Sequence, residues 1–253
     1  MTTAASNDTQ ASADEWQLRC ELAAAFRLAA LFGWDDHVAT HMSARLPDNT
    51  FLLNPFGLMF EEITASNLMR MDMDGNVIEI PEGLMLNPAG FAVHNAVLDG
   101  RSDANCAMHF HSKDGVAVSA LKEGLLPLSQ NALNICNDVA YHDYEGVVSA
   151  GDEKARLQAD LGDKHLMILR NHGTLALGRS IATTFYRIYA LEWACTAQVR
   201  TLSMGRPLEL PSDELIRSMA QAMPPDWVNG FAEERFWPAM LRKAERECPG
   251  FDV

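Results

Sequence analysis

His109-Phe110-His111 closes a mostly apolar run, Ala104-Asn105-Cys106-Ala107-Met108. A third histidine sits in Arg170-Asn171-His172-Gly173, after a second apolar run, Leu166-Met167-Ile168-Leu169. Residues i and i+2 of a strand share a face, so His109 and His111 aim two imidazoles at one point. His172, from a neighbouring strand end, completes a three-histidine face with positions left open for water or substrate. Catalytic divalent-metal sites are built this way, whereas structural zinc sites close every position, usually with cysteine. The pattern predicts a metal centre of the catalytic kind on His109, His111 and His172.

The elements that must position these residues can be traced along the chain. Residues 15–32 carry Leu, Ala, Glu and Arg at helical spacing, with Gly33 as the stop. Residues 1–14 are expected to be disordered. Residues 37–45 and 50–53 read as strands about the turn Pro47-Asp48-Asn49, and residues 70–78 as a hairpin with a Gly-containing turn. A short helix over residues 90–98 carries His94 and ends at Gly100. Strand 105–110 leads into a helix over residues 113–121. Strand 139–141, a helix near residues 152–161 and strand 165–169 follow. Residues 183–202 form one uninterrupted helix. Residues 213–223, capped by Ser212, and residues 231–246 make a helical C-terminus, parted by Pro224-Pro225. Strands alternate with helices through the middle, which predicts an α/β protein built as a helix–sheet–helix sandwich. The pattern does not separate a parallel from an antiparallel sheet. No linker divides the chain, so residues 15–253 are expected to form a single domain with a helical extension from about residue 206.

Bulk properties exclude several classes. The 253 residues are 48% apolar, enough for a large core. A net charge of −14 with pI near 4.9 repels phosphate backbones and argues against nucleic acid. No apolar stretch approaches the roughly 18 residues that span a bilayer. The N-terminus lacks the basic-then-apolar order of a signal peptide. Five scattered cysteines, none in C-x-x-C, suit reduced core thiols in a cytoplasm.

Other residues carry weaker signals. Tyr141, Asp143 and Tyr144 form a polar-aromatic cluster after a strand, where a tyrosine hydroxyl could donate a proton or an aromatic edge could pack over the core. His41 and His142 are further candidates for proton transfer. His94 reads as structural, and His37 and His165 as ordinary. Asn171 either meets a ligand or caps its turn. Gly173 is expected to meet either a positive φ or a close backbone approach. Asp35-Asp36 and the segment from Met69 to Asp74 read as solvated faces and turns.

Taken in order, Asn54-Pro55-Phe56-Gly57, Arg101-Ser102-Asp103-Ala104-Asn105, His109-Phe110-His111, Leu125-Leu126-Pro127-Leu128-Ser129, Ala140-Tyr141-His142-Asp143-Tyr144 and Leu169-Arg170-Asn171-His172-Gly173 resemble the class II aldolase/adducin family. Coverage runs from about residue 18 to residue 205. Within the family, residues 124–129 and 139–144 look most like the adducin head domain. The resemblance implies a three-layer α/β/α sandwich around a mainly antiparallel sheet. It also implies a homotetramer with sites at subunit interfaces, acting on a small-molecule substrate. A divalent ion, zinc first and manganese second, is implied on His109, His111 and His172. In the family's aldolases the metal acts as a Lewis acid while a carbon–carbon bond breaks.

The departures are as informative. The family's sugar-phosphate aldolases carry a glutamate acid/base that aligns with Gly90. Their phosphate-binding turns align with Thr40-His41, Phe56-Gly57 and Pro88-Ala89, where most hydroxyl and amide donors are gone. A phosphorylated ketose is therefore not the expected substrate, and proton transfer falls to His41, His142 or Tyr144, or to metal-bound water. The expectation is a cytosolic metal-dependent lyase for a hydroxy-carbonyl compound. The alternatives are a decarboxylase of hydroxylated acids on the same site and a non-catalytic adducin-head-like oligomerisation domain.

Overall fold

The computed structural model describes residues 4–146 and 152–253. Its centre is one eight-stranded sheet. The first helix, α1 (Ala4–Phe32), leads to strands β1 (His41–Arg45), β2 (Phe51–Leu53), β3 (Met69–Met71) and β4 (Val77–Glu79). Helix α2 (Pro88–Gly100), β5 (Cys106–Phe110), α3 (Lys113–Ser119), α4 (Gln130–Ile135), β6 (Val139–His142), α5 (Asp152–Leu161) and β7 (Leu166–Leu169) follow. Strand β8 (Gly173–Gly178) and the long α6 (Ile181–Ser203) precede three C-terminal helices, α7 (Asp213–Ala222), α8 (Pro225–Phe231) and α9 (Trp237–Glu247). The strand order is β4-β3-β2-β1-β5-β8-β7-β6. Every pairing is antiparallel except β6 with β7.

Alternation along the strands builds two helical layers. Met108, Phe110, Leu166, Ile168 and Ala176 face a core shared with residues of α1, α3, α6 and α9. Ala107, Met167, Leu169, Leu175 and Leu177 face the other way, onto Val97 of α2 and Leu157 of α5. His109 shares a face with Ala107, and His41 and Ser43 join it through the register His41↔His109 and Ser43↔Ala107. One wall of the site is therefore sheet and the other is α2.

Several expectations are corrected. Of residues 1–14, expected to be disordered, residues 4–14 belong to helix α1 and residues 1–3 lie outside the described residues; a helix nucleated in the packed core extends cheaply through small polar residues. The first strand starts at His41 rather than residue 37, because His37 takes φ 41° in a turn. Met69 and Met71 are fully buried rather than solvated, packed with Phe51 and Leu53. The acidic residues between them and the turn masked their period of two. Strand β8 was not anticipated at all. Its residues, Gly173-Thr174-Leu175-Ala176-Leu177-Gly178, are buried throughout, so no apolar–polar alternation marks them.

Candidate metal centre

The strand order places β8 between β5 and β7, so the end of β5 meets the β7–β8 turn. Asn171 takes φ 55° in that turn, a conformation asparagine tolerates, and its N–H donates to Ser119 O at 3.3 Å. Asn171 thus shapes the turn. Gly173 answers a close approach: a Cβ there would lie 2.2 Å from Phe110 O. This tight contact draws His172 onto the H-x-H.

One nitrogen from each of His109, His111 and His172 lies within 4.8 Å of the others. His109 is buried, and the other two are half-buried. His109 Nδ1 lies 2.9 Å from the Thr174 carbonyl, which can only accept, so Nδ1 carries the proton. His111 Nδ1 faces Asp36 Oδ2 at 3.1 Å and donates likewise. Both Nε2 atoms then hold lone pairs, yet they face each other at 2.9 Å. Two lone pairs so placed repel unless a cation joins them. Burial holds the His109 pKa well below 6.5, and burial followed by the His111 charge takes His172 down to about 4. A proton on His109 or His172 is therefore disfavoured. Neutral imidazoles with tautomers fixed from behind are what a divalent ion such as zinc requires, so the donor set fits one.

A buried carboxylate braces the arrangement. Glu192 of α6 is 1% exposed and accepts from Thr174 Oγ1 at 2.5 Å and from Ser112 Oγ. Ser112 follows His111, also accepts from Gly115 N at 3.0 Å and caps α3. Thr174 supplies the carbonyl that orients His109. Burial pushes the Glu192 carboxyl up to about 7, against the pull of its two hydroxyl donors. The sequence reading missed both Glu192 and Asp36. A lone acid inside the otherwise apolar residues 188–195 was the available signal for Glu192. Asp36 gave none, since an Asp-Asp pair reads as a solvated turn.

The candidates for proton transfer separate clearly. His41 is buried with its ring centroid 5.0 Å from that of His109. Its Nδ1 lies 2.7 Å from His94 Nε2, and His94 Nδ1 meets Ser43 Oγ. A Cβ on Gly90 would fall 2.7 Å from His41 Cδ2, so the His41 ring fills the space beside the position where the glutamate was expected. Burial first, then the charges of His94, His111 and His172, hold His41 well below 6.5; burial holds His94 at about 3. Both rings are neutral. His142 and Tyr144 lie on the opposite side, lining with His172 a cavity of about 20 Å³, room for roughly one water. His142 Nδ1 meets Asp160 Oδ2 at 2.7 Å, and its buried Nε2 has no partner among the described residues. The Tyr144 ring is exposed, 5.9 Å from that of His172. Tyr141 is a packing residue: its hydroxyl accepts from Leu125 N at 3.0 Å and Arg170 lies 4.3 Å over its ring. His165 pairs with Asp138 at 3.1 Å. His94, read as structural, is bonded directly to His41.

Two of the positions aligned with the phosphate-binding turns offer no free N–H. Pro88 has no N–H, and the Phe56 N–H is engaged by Met85 O at 2.8 Å.

Comparison with known proteins agrees with this fold. The model of the Class II Aldolase and Adducin N-terminal domain matches residues 20–199. A Caulobacter vibrioides protein, whose name assigns it provisionally to the class 2 aldolases, is 48% identical over 94% of this chain and 92% of its own. Mouse alpha-adducin is 46% identical over 75% of this chain, which spans only 26% of alpha-adducin. The crystal structure of an aldolase II superfamily protein from Pseudomonas syringae superposes with TM-score 0.87 and 45% identity, covering 94% of this chain and 96% of that one. L-fuculose 1-phosphate aldolase from Glaciozyma antarctica superposes with TM-score 0.81 and 28% identity, covering 95% and 94%. With the family model spanning the whole sheet and its histidine cluster, this chain belongs to the class II aldolase/adducin family.

Proposed function

We propose that the chain is a divalent-metal-dependent lyase that breaks a carbon–carbon bond in a small, unphosphorylated hydroxy-carbonyl compound. The observation that carries this reading is the pair of Nε2 lone pairs of His109 and His111, facing each other at 2.9 Å with both Nδ1 atoms tied back. His109, His111 and His172 would hold the ion, with zinc favoured by the all-imidazole set and manganese second. When bound, the ion supplies a Lewis acid for the substrate oxygens. Asp36 and Thr174 keep the imidazoles oriented.

His41 is the favoured proton donor and acceptor. If Ser43 Oγ–H donates to His94 Nδ1, His94 Nε2–H donates to His41 Nδ1. His41 then carries its proton on Nε2, which makes no hydrogen bond among the described residues. A neutral imidazole fixed in this tautomer can polarise a carbonyl and pass a proton. His142 and Tyr144, beside His172, are the second pair of candidates. His41→Ala is expected to lower turnover by roughly 10²- to 10⁴-fold at unchanged metal content. Equal turnover in His41→Ala and the parent would transfer the role to His142.

The reading is tested by retro-aldol turnover on small hydroxy-ketones. Activity should vanish on chelation and return when zinc or manganese is added. Release of CO2 from hydroxylated aromatic acids by the same protein, without retro-aldol turnover, would select the decarboxylase. The identity to alpha-adducin and the glycine at position 90 favour a second reading, a non-catalytic interaction domain. That reading gains if no ion binds and the oligomer survives loss of all three histidines. Exposed Trp193, Leu202, Met204 and Leu210 support self-association, with a tetramer as the expected size. A cytoplasmic location is part of the proposal; no helix among the described residues is long and apolar enough to cross a membrane.

A further inference from the structure

A cavity of about 230 Å³ lies at the other end of the sheet from the histidines. Asp138 and His165, at its wall, precede β6 and β7, whereas His142 and His172 lie at the far ends of those strands. The strand geometry separates the two sites by roughly 13 Å or more. Ile135 of α4 and Val228 of α8 supply apolar wall, and Asn134 and Arg187 supply polar groups.

Arg187 makes this more than a packing gap. It is 6% exposed, and Nη1 donates to Leu177 O at 3.0 Å. No carboxylate pairs with it among the described residues, and its Nε and Nη2 make no hydrogen bond there. Neither atom is sealed from solvent, and the Arg187 side chain lines the cavity. The neighbouring cations are already matched: Arg101 binds Asp103 at 2.8 Å and Arg179 binds Glu233 at 2.9 Å. Asp138 is itself engaged, accepting from His165 N at 3.0 Å and facing its Nδ1 at 3.1 Å. Asp138 and Asp103 act on Arg187 only from beyond ion-pair distance, so an anion reaching its free edge would add the charge-assisted contact that it lacks among the described residues.

The size and walls define the anion. An enclosed apolar cavity of roughly 150 Å³ takes a benzene ring, so this one has room for a ring plus one small charged group. We propose that the cavity is a second ligand site, taking a small monocarboxylate with a compact aromatic or branched body, its carboxylate on the free edge of Arg187. The apolar body packs on Ile135 and Val228. The site is separate from the metal centre and does not depend on the reaction proposed for it.

Benzoate is the probe, titrated calorimetrically and by thermal shift on four proteins: the parent, His109→Ala/His111→Ala, Arg187→Met and Val228→Trp. Benzoate should bind the parent and the histidine variant with similar Kd, on the order of 1 mM. At about ten times Kd it should raise Tm by roughly 2–3 °C. Affinity should fall at least about tenfold in Arg187→Met, and benzyl alcohol should bind about as weakly to the parent. Val228→Trp, at the half-buried rim, fills the cavity without removing a charge, so it decides the matter if Arg187→Met does not fold. Binding lost in the histidine variant would place the carboxylate at the metal centre and overturn the proposal. Undiminished binding in Val228→Trp, or none to the parent, would overturn it equally.

Discussion

Alanine at both His109 and His111 should leave a folded chain that no longer takes up a divalent ion. The parent, purified without chelators or a polyhistidine tag, should retain about one ion per subunit by elemental analysis. The expected effect on stability is large, because an ion that binds only the folded state stabilises it by mass action. At roughly 1,000 times Kd the gain is about 4 kcal/mol, or some 8 °C in Tm for a chain of this size. Added zinc should produce that shift in the parent and none in the double variant. The metal-free parent should also lose stability as pH falls from 6.5 towards 4. Burial depresses the His172 pKa to about 4 and holds His109 well below 6.5, so the unfolded chain binds protons first across that window. A metal content near zero in the parent, even after incubation with zinc and manganese, would remove the foundation of the lyase reading.

The second large effect is expected at Glu192. Its carboxyl is raised to about 7 by burial, whereas in the unfolded chain it returns to its ordinary 4.5. Between those values the unfolded state releases a proton that the folded state keeps, so the Glu192 contribution to stability falls as pH rises through the window, opposite in sign to that of the histidines. The integrated penalty is roughly 3 kcal/mol above pH 7. Asp114 adds to it by repulsion, while Ser112 and Thr174 oppose it. Glu192→Gln keeps the shape and removes the titration, and both hydroxyl partners can rotate to suit an amide. The stability difference between Glu192→Gln and the parent should therefore grow in the variant's favour from pH 4.5 to 7, read as urea midpoints at unchanged m-value. Glu192→Ala should behave differently. It frees Ser112 and Thr174, which flank His111 and orient His109, and should weaken metal affinity by about 10- to 100-fold. Equal metal affinity in Glu192→Ala would show that the brace carries no weight at the site.

Much of the centre was legible because its logic is local. His109 and His111 share a strand face by the period of two, whatever the sheet around them. The α/β layering followed from alternating apolar strands and helices, and the antiparallel character from the family resemblance. The proton-transfer candidates were legible only as residue types. His41 stands out because the β1–β5 register sets it opposite His109 and because Gly90 leaves room for its ring. Neither fact is encoded within a short window. His94 looked like an ordinary helical histidine until the approach of α2 to the sheet joined it to His41.

The sequence by itself determined the class of fold and singled out His109, His111 and His172 as the proposed metal ligands, since both depend on residue type and short-range spacing. Tertiary structure decided everything that depends on chains meeting from afar. It inserted β8 between β5 and β7, brought Phe110 O so close to residue 173 that only glycine fits, and set Glu192 behind two ligand segments. It also left Arg187 buried without an ion pair among the described residues. A side chain's protonation and partners are set by burial and neighbours, and these exist only once the layers have packed.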